Sequence, residues 1–212
     1  MTFSVDPPKY RLDDSAMRAM DLALAVLMLV VAALPMLVIA GLILLDDGRP
    51  VLFRQIRVGR GGRHFTIFKF RTMTHDRTRA TGFVTGPITA AGRQRFETTV
   101  SGDPRITRVG RVLRPLHMDE LPQMLNVLLG DMSIVGVRPD VPVQEADYTF
   151  QEWNNRHVLR PGITGLAQID SSVDSMAART ALDLEWVHNR SIRLYATVIF
   201  RTFFKVLKRN SL

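Results

Sequence analysis

The 212-residue chain contains no cysteine. That excludes disulfides, thiolate metal sites and a thiol nucleophile. Histidine is sparse: His64, His75, His117, His157 and His188 are scattered, with no pair at metal-ligand spacing, which argues against a zinc site. Acidic residues are short relative to basic ones, 20 against 28, leaving a formal charge of +8. Such an excess suits nucleic acid, an anionic membrane surface or phosphorylated substrates. No RNA- or DNA-binding motif accompanies it. Gly59-Arg60-Gly61-Gly62 is no dinucleotide fingerprint either, because His64 stands where its last glycine belongs. From Leu22 to Leu45 charge is absent altogether.

That uncharged segment is long enough to cross a bilayer as a helix, and too long and too late for a signal-peptide core. Pro35 interrupts it near the middle and predicts a kink. Lys9, Arg11 and Arg18 precede it; Arg49, Arg54, Arg57, Arg60 and Arg63 follow, so both flanks favour the cytoplasmic side. Bending at Pro35 gives arms of roughly 20 and 15 Å, each too short to cross alone. The favoured reading is a re-entrant hairpin over 17–48; a kinked full span is the alternative. Residues 1–16, with Pro7 and Pro8, read as a flexible lead-in. Asp21 is placed to pair with Arg18 at the rim of the segment.

Val51–Val58 and His64–Arg71 are rich in β-branched and aromatic residues and flank the glycine turn, which predicts a β-hairpin. Lys69 and Arg71 share one of its faces, as phosphate or headgroup ligands or as a solvated strand face. The threonine-rich stretch 74–102 reads as a long loop. Within Arg114–Asn126, Asp119 is placed to cap a helix, with Pro122 in its first turn and Gly130 as the stop. Two carboxylates, Asp119 and Glu120, then sit at the positive end of that helix, as plain capping acids or as chemistry. Arg138, set between Gly136 and Pro139, is suited to hold phosphate or is an exposed loop arginine. Val141–Val158 reads as a helix, 171–180 as a loop and 181–210 as helical. Ile192, Tyr195, Ile199, Phe203 and Val206 would form its apolar face, with Arg201, Lys205, Lys208 and Arg209 opposite. That pattern fits a helix in a membrane interface and fits a core-packing helix equally.

Seven motifs together resemble the bacterial sugar transferases, the small monotopic phosphoglycosyl transferases that act on polyprenyl phosphate. They are the hydrophobic segment headed by Arg18 and Asp21, Phe68–Met73, Asp103–Thr107, Asp119–Gln123, Asp131–Ser133, Gly136 with Arg138-Pro139, and Arg160–Gln168. The resemblance covers about residue 17 to the C-terminus and looks like the minimal catalytic form. It departs at Met17, Leu34 and Val137, where the family usually has a basic residue, a serine and a proline, and the loop at 74–102 is longer than expected.

The resemblance implies an α+β, mainly helical monotopic membrane protein, with amphipathic interfacial helices and a cytoplasmic catalytic domain over 49–212. It implies transfer of a sugar 1-phosphate from a UDP-sugar to polyprenyl (undecaprenyl) phosphate through an aspartyl phosphosugar, with release of UMP. Asp119 resembles the nucleophile and Glu120 the Mg²⁺ ligand, while Arg114 and Arg138 would brace phosphate oxygens. Substrate-binding roles are implied for Lys69, Arg71, Asp103, Arg105, Pro139, Arg160 and Gln168. The implied setting is the cytoplasmic face of a bacterial inner membrane with anionic phospholipid, no nucleic acid, and a homodimer left open. A lipid-binding module without catalysis is the competing class. The sugar and the pathway are not legible.

Overall fold

A computed structural model describes residues 12–74, 103–170, 172–173 and 175–209. The long loop expected at 74–102 lies, beyond Thr74, outside the described residues, as does the lead-in before Leu12. Among the described residues the chain is mainly helical with two small sheets.

Helix α1 (Leu12–Asp47) runs as one element through Pro35. Leu12–Ala16, expected to be part of the lead-in, are therefore helical. Its apolar surface is largely exposed, as Val30, Val31, Leu34 and Leu37 show. A buried stripe of Met17, Asp21, Ala25, Ala32, Ile39 and Ile43 runs down one side at helical spacing. The two halves of the stripe enter different cores. Met17 and Ala25 join Val127, Met132, Val135, Trp186, Tyr195 and Val198. Ile39 and Ile43 pack with Phe70 and Leu113.

Strands β1 (Leu52–Val58) and β2 (His64–Phe70) form the expected antiparallel hairpin, Leu52 opposite Phe70 and Val58 opposite His64. Helix α2 (Arg108–Leu113) leads into a 3-10 turn (Met118–Glu120), and α3 (Gln123–Leu129) follows. Gly130 ends α3 with φ 89°, a left-handed conformation that favours glycine. Asp119 is not its N-cap: Pro122 is, and the two acids lie one turn earlier. Proline ends the 3-10 turn and starts the helix afresh, since it has no N–H to continue the ladder.

Strand β3 (Ser133–Val135) pairs in parallel with β4 (Gly162–Thr164). The backbones cross so closely that a Cβ on Gly162 would lie 2.0 Å from the Gly136 nitrogen. The helix expected at 141–158 is two pieces, a 3-10 segment (Pro142–Asp147) and α4 (Phe150–Arg156). Thr149 and Glu152 form a capping box that starts the second piece, and apolar periodicity alone does not register it. Leu166–Ile169 is a single helical turn, α5. Within the segment read as a loop, Ser175 caps α6 (Met176–Asn189). The last helix, α7 (Ile192–Arg209), is separated from α6 at Arg190 and Ser191.

Helix α7 sits rotated from the expected orientation. Tyr195 and Val198 are buried, whereas Phe200, Phe203 and Phe204 are exposed. Phe203 therefore leaves the expected apolar face, and Lys205 leaves the basic one and turns inward. The core-packing reading holds for its inner side, and an aromatic strip of Phe200, Phe203 and Phe204 stays outside.

Candidate active site

The segment carrying the two acids hangs between α2 and α3, and each helix is closed by a charge from α1. At the start of α2, the Asp46 carboxylate accepts the Val109 N–H at 2.9 Å, beside the Thr107 side-chain cap. At the end of α3, Arg18 donates to the Val127 carbonyl at 2.8 Å and to Met132 at 3.3 Å. Both charges have the sign that the helix dipole favours. Asp21 stands 3.8 Å from Arg18, as expected, but it is buried rather than at a rim. It accepts from the Ile134 N–H, the Ser133 hydroxyl and the Tyr195 hydroxyl, which join α1 to β3 and α7. Between the helices, His117 adopts φ 53°, and this left-handed residue reverses the chain into the 3-10 turn.

Strand β2 brings Lys69 to this turn. Asn126 of α3 accepts the Phe68 N–H at 3.0 Å and donates to the Thr66 carbonyl at 2.7 Å, so helix and strand keep one register. The Lys69 ammonium then meets Glu120 Oε1 at 2.5 Å. Arg138 arrives from the other side. The β3–β4 crossing fixes the chain before it, Arg57 donates to the Pro139 carbonyl at 2.8 Å, and Arg156 binds Asp140 at 2.9 Å.

These elements enclose a cavity of about 320 Å³ lined by Lys69, His117, Glu120, Arg138, Pro139 and Gln168, among others. Burial alone would raise the Glu120 pKa, but Lys69, Arg138 and His117 outweigh it and hold the carboxyl below its ordinary range. Asp119 behaves oppositely. Burial and the neighbouring Glu120 charge push it up, and Lys69 and Arg114 only partly oppose them. Two adjacent carboxyls thus differ in character: Glu120 is firmly ionised and Asp119 is the more basic. Such divergence between neighbouring acids often marks a division of roles.

Of the residues expected at the site, Lys69, Glu120, Arg138, Pro139 and Gln168 line the cavity. Asp119 and Arg114 stand beside it, coupled to each other through charge. The others brace the frame. Arg71 is buried against the end of α1, donating to the Asp47 and Gly48 carbonyls and pairing with Asp47 at 3.0 Å. Arg105 holds the buried Asp103 in a bidentate pair, which keeps that carboxyl below its usual range. Arg160 donates to the Gly130 carbonyl at 2.7 Å. Pro35 lies within α1, away from the cavity.

Arg57, His117, Thr202 and Lys205 are among the cavity residues not singled out from the sequence as site residues. For Lys205 a signal existed. It falls two helical turns after the buried Val198, and so on the inward face. Among the described residues no cluster of three or more metal-ligating side chains occurs. Asp119 and Glu120 still suit Mg²⁺, which takes one or two protein carboxylates and completes its shell with substrate phosphates and water.

Residues 12–209 match the sequence profile of the family described as bacterial sugar transferase. Three relatives illustrate the similarity. An undecaprenyl-phosphate glucose phosphotransferase of Komagataeibacter xylinus is 40% identical over 206 residues, covering 92% of this chain and 36% of the relative. A UDP-glucose:undecaprenyl-phosphate glucose-1-phosphate transferase of Caulobacter vibrioides is 41% identical over 208 residues, 91% of this chain and 73% of the relative. An exopolysaccharide production protein, PSS, of Rhizobium leguminosarum bv. phaseoli is 39% identical over 204 residues, 91% of this chain and 96% of the relative. The chain thus spans little more than a third of the first of these and most of the other two.

Proposed function

The chain belongs to the bacterial sugar transferase family, and from that premise we propose that it moves a sugar 1-phosphate from a UDP-sugar to undecaprenyl phosphate, releasing UMP. The observation that carries this reading is the cavity in which Glu120 meets Lys69 and Arg138, with Asp119 alongside. The names of relatives at about 40% identity make UDP-glucose the first donor to test.

In the first half of the reaction an Asp119 carboxylate oxygen attacks the phosphorus bonded to the sugar. One P–O bond forms, the bond to UMP breaks, and an aspartyl phosphosugar remains. In the second half a phosphate oxygen of the lipid attacks the same phosphorus, and Asp119 leaves as a free carboxylate. No electrons are exchanged. The raised basicity of Asp119 suits a nucleophile; the firmly ionised Glu120 suits a cation ligand. Arg138 and Arg114 offset the charge that gathers on the phosphoryl oxygens. Glu120 would hold Mg²⁺, which when bound would supply charge neutralisation at the substrate phosphates. Lys69 is positioned to keep Glu120 ionised and aimed until then.

We also infer that α1 enters the membrane as a re-entrant element at the cytoplasmic face of the inner membrane. The apolar stretch between Asp21 and Asp46 is long enough to reach the far side of a bilayer. Yet Asp21 bonds Ile134 and Asp46 bonds Val109, so both ends of α1 hold the same catalytic body. A simple span would put those ends on opposite faces. Their shared seat supports placing both ends on one side, and a return within the bilayer would have to turn at Pro35, through which α1 here runs as one helix.

The test is UMP release from UDP-glucose by membranes carrying the protein, with and without undecaprenyl phosphate. Release dependent on Asp119, with a phosphosugar adduct on that residue, is the expected result. Lipid binding without any UMP would instead favour a non-catalytic module.

A further inference from the structure

Among the described residues, Lys205 is the cavity-lining cation that comes from α7. The opposite side of that helix exposes Phe200, Phe203 and Phe204, at 64%, 60% and 48% of their full area. Their rings pack on one another, with centroids 4.5 Å and 5.6 Å apart. Helix α7 therefore stands between the cavity and an apolar outer face suited to lipid. Inside, the half-buried Lys205 ammonium donates to the Gln168 carbonyl at 2.9 Å. Asp170 feels its charge, after the stronger effects of Ser172 and Arg201, and Asp170 is fully exposed. An ammonium has three N–H donors, so two remain after Gln168 is served. The other lysine of the cavity is already committed, since Lys69 binds Glu120. Arg57 is committed too, to Pro139 and Gln55.

A half-buried cation facing a neutral carbonyl calls for an anion to complete it. We infer that Lys205 receives the phosphate of the lipid acceptor; this rests on the transferase reading above. The UDP-sugar reaches the cavity from water, whereas a lipid phosphate comes from the side that α7 faces. Lys205 then holds that phosphate while one of its oxygens attacks the phosphorus on Asp119, and the Asp119–phosphorus bond breaks. The lysine transfers no proton and forms no bond; it binds and orients.

The two half-reactions separate this role from others. Exchange of labelled UMP into UDP-glucose, without lipid, reads the first half alone. Complete turnover against undecaprenyl phosphate in nanodiscs reads both. Lys205→Ala should raise the KM for the lipid about tenfold or more, as loss of a charge-assisted hydrogen bond does. UMP exchange should stay within about twofold of the parent, and Lys205→Arg should recover most of the lipid affinity. The proposal is overturned if exchange falls in parallel with turnover, because the lysine then serves the donor or merely ties α7 to α5. An unchanged lipid KM also overturns it. Absence of exchange in the parent protein would remove the transferase reading itself, a result distinct from either.

Discussion

The Lys69 ammonium lies 2.5 Å from Glu120 Oε1, and Asn126 holds the strand and the helix that bring them together. The pair keeps Glu120 ionised despite its burial. Lys69→Met should let burial dominate and raise the Glu120 pKa. The acid limb of the pH–rate profile should then move to higher pH and activity should fall, by roughly ten- to a hundredfold for a lost catalytic charge partner. A profile that keeps its shape while activity falls would show that Lys69 contacts substrate without tuning Glu120.

Asp119→Asn should separate activity from stability. Turnover should drop by at least roughly a thousandfold, as expected for a lost nucleophile, and no covalent adduct should form. The folded-state pKa of Asp119 is raised, so its ionised form opposes folding at neutral pH, and that cost disappears as pH falls through the raised value. The asparagine variant should therefore melt higher than the parent at pH 7.5, and the gap should close on acidification. Thermal unfolding in detergent at the two pH values checks the sign. A variant less stable at neutral pH would contradict it.

Asn126 is fully buried and serves two backbone groups of β2. Asn126→Ala leaves both without partners and should cost about 1–3 kcal/mol for each group left unsatisfied. Because the same bonds set the distance from Lys69 to Glu120, kcat should fall more than the stability loss explains. Activity normalised to folded protein is the measurement.

The lack of native cysteine makes topology accessible. Ser15 and Arg49 are both exposed, near opposite ends of α1. Ser15→Cys and Arg49→Cys should both resist an impermeant maleimide on intact cells, and both should react once the inner membrane is opened. Labelling of one alone before opening would establish a full span.

Much of this was legible in particular residues. The uncharged run from Leu22 to Leu45 marked an apolar helical segment, though α1 runs unbroken where two arms bent at Pro35 were expected, and the glycines between Val58 and His64 revealed the β-hairpin. Gly130 marked the end of α3. Asp119 misled as a cap because its residue type suits that position, while Pro122 took it. The capping box at Thr149 overrode a continuous apolar period. Arg71, Asp103, Arg105 and Arg160 belong to motifs that resemble substrate contacts, and in this fold they also hold protein groups that no motif names. A motif shows that a residue matters; only long-range packing shows what it touches. The orientation of α7, and with it the place of Lys205, depended on which of two apolar stripes the core would take.

Asp46 closes the beginning of α2 and Arg18 closes the end of α3. The acids at 119 and 120 are thus slung between two points of the same long apolar helix. A protein trimmed to start after α1 would therefore not keep the candidate site intact. It would have lost the end-stops of both helices that suspend the acids, so the long apolar helix is part of the jaw that holds Asp119 and Glu120.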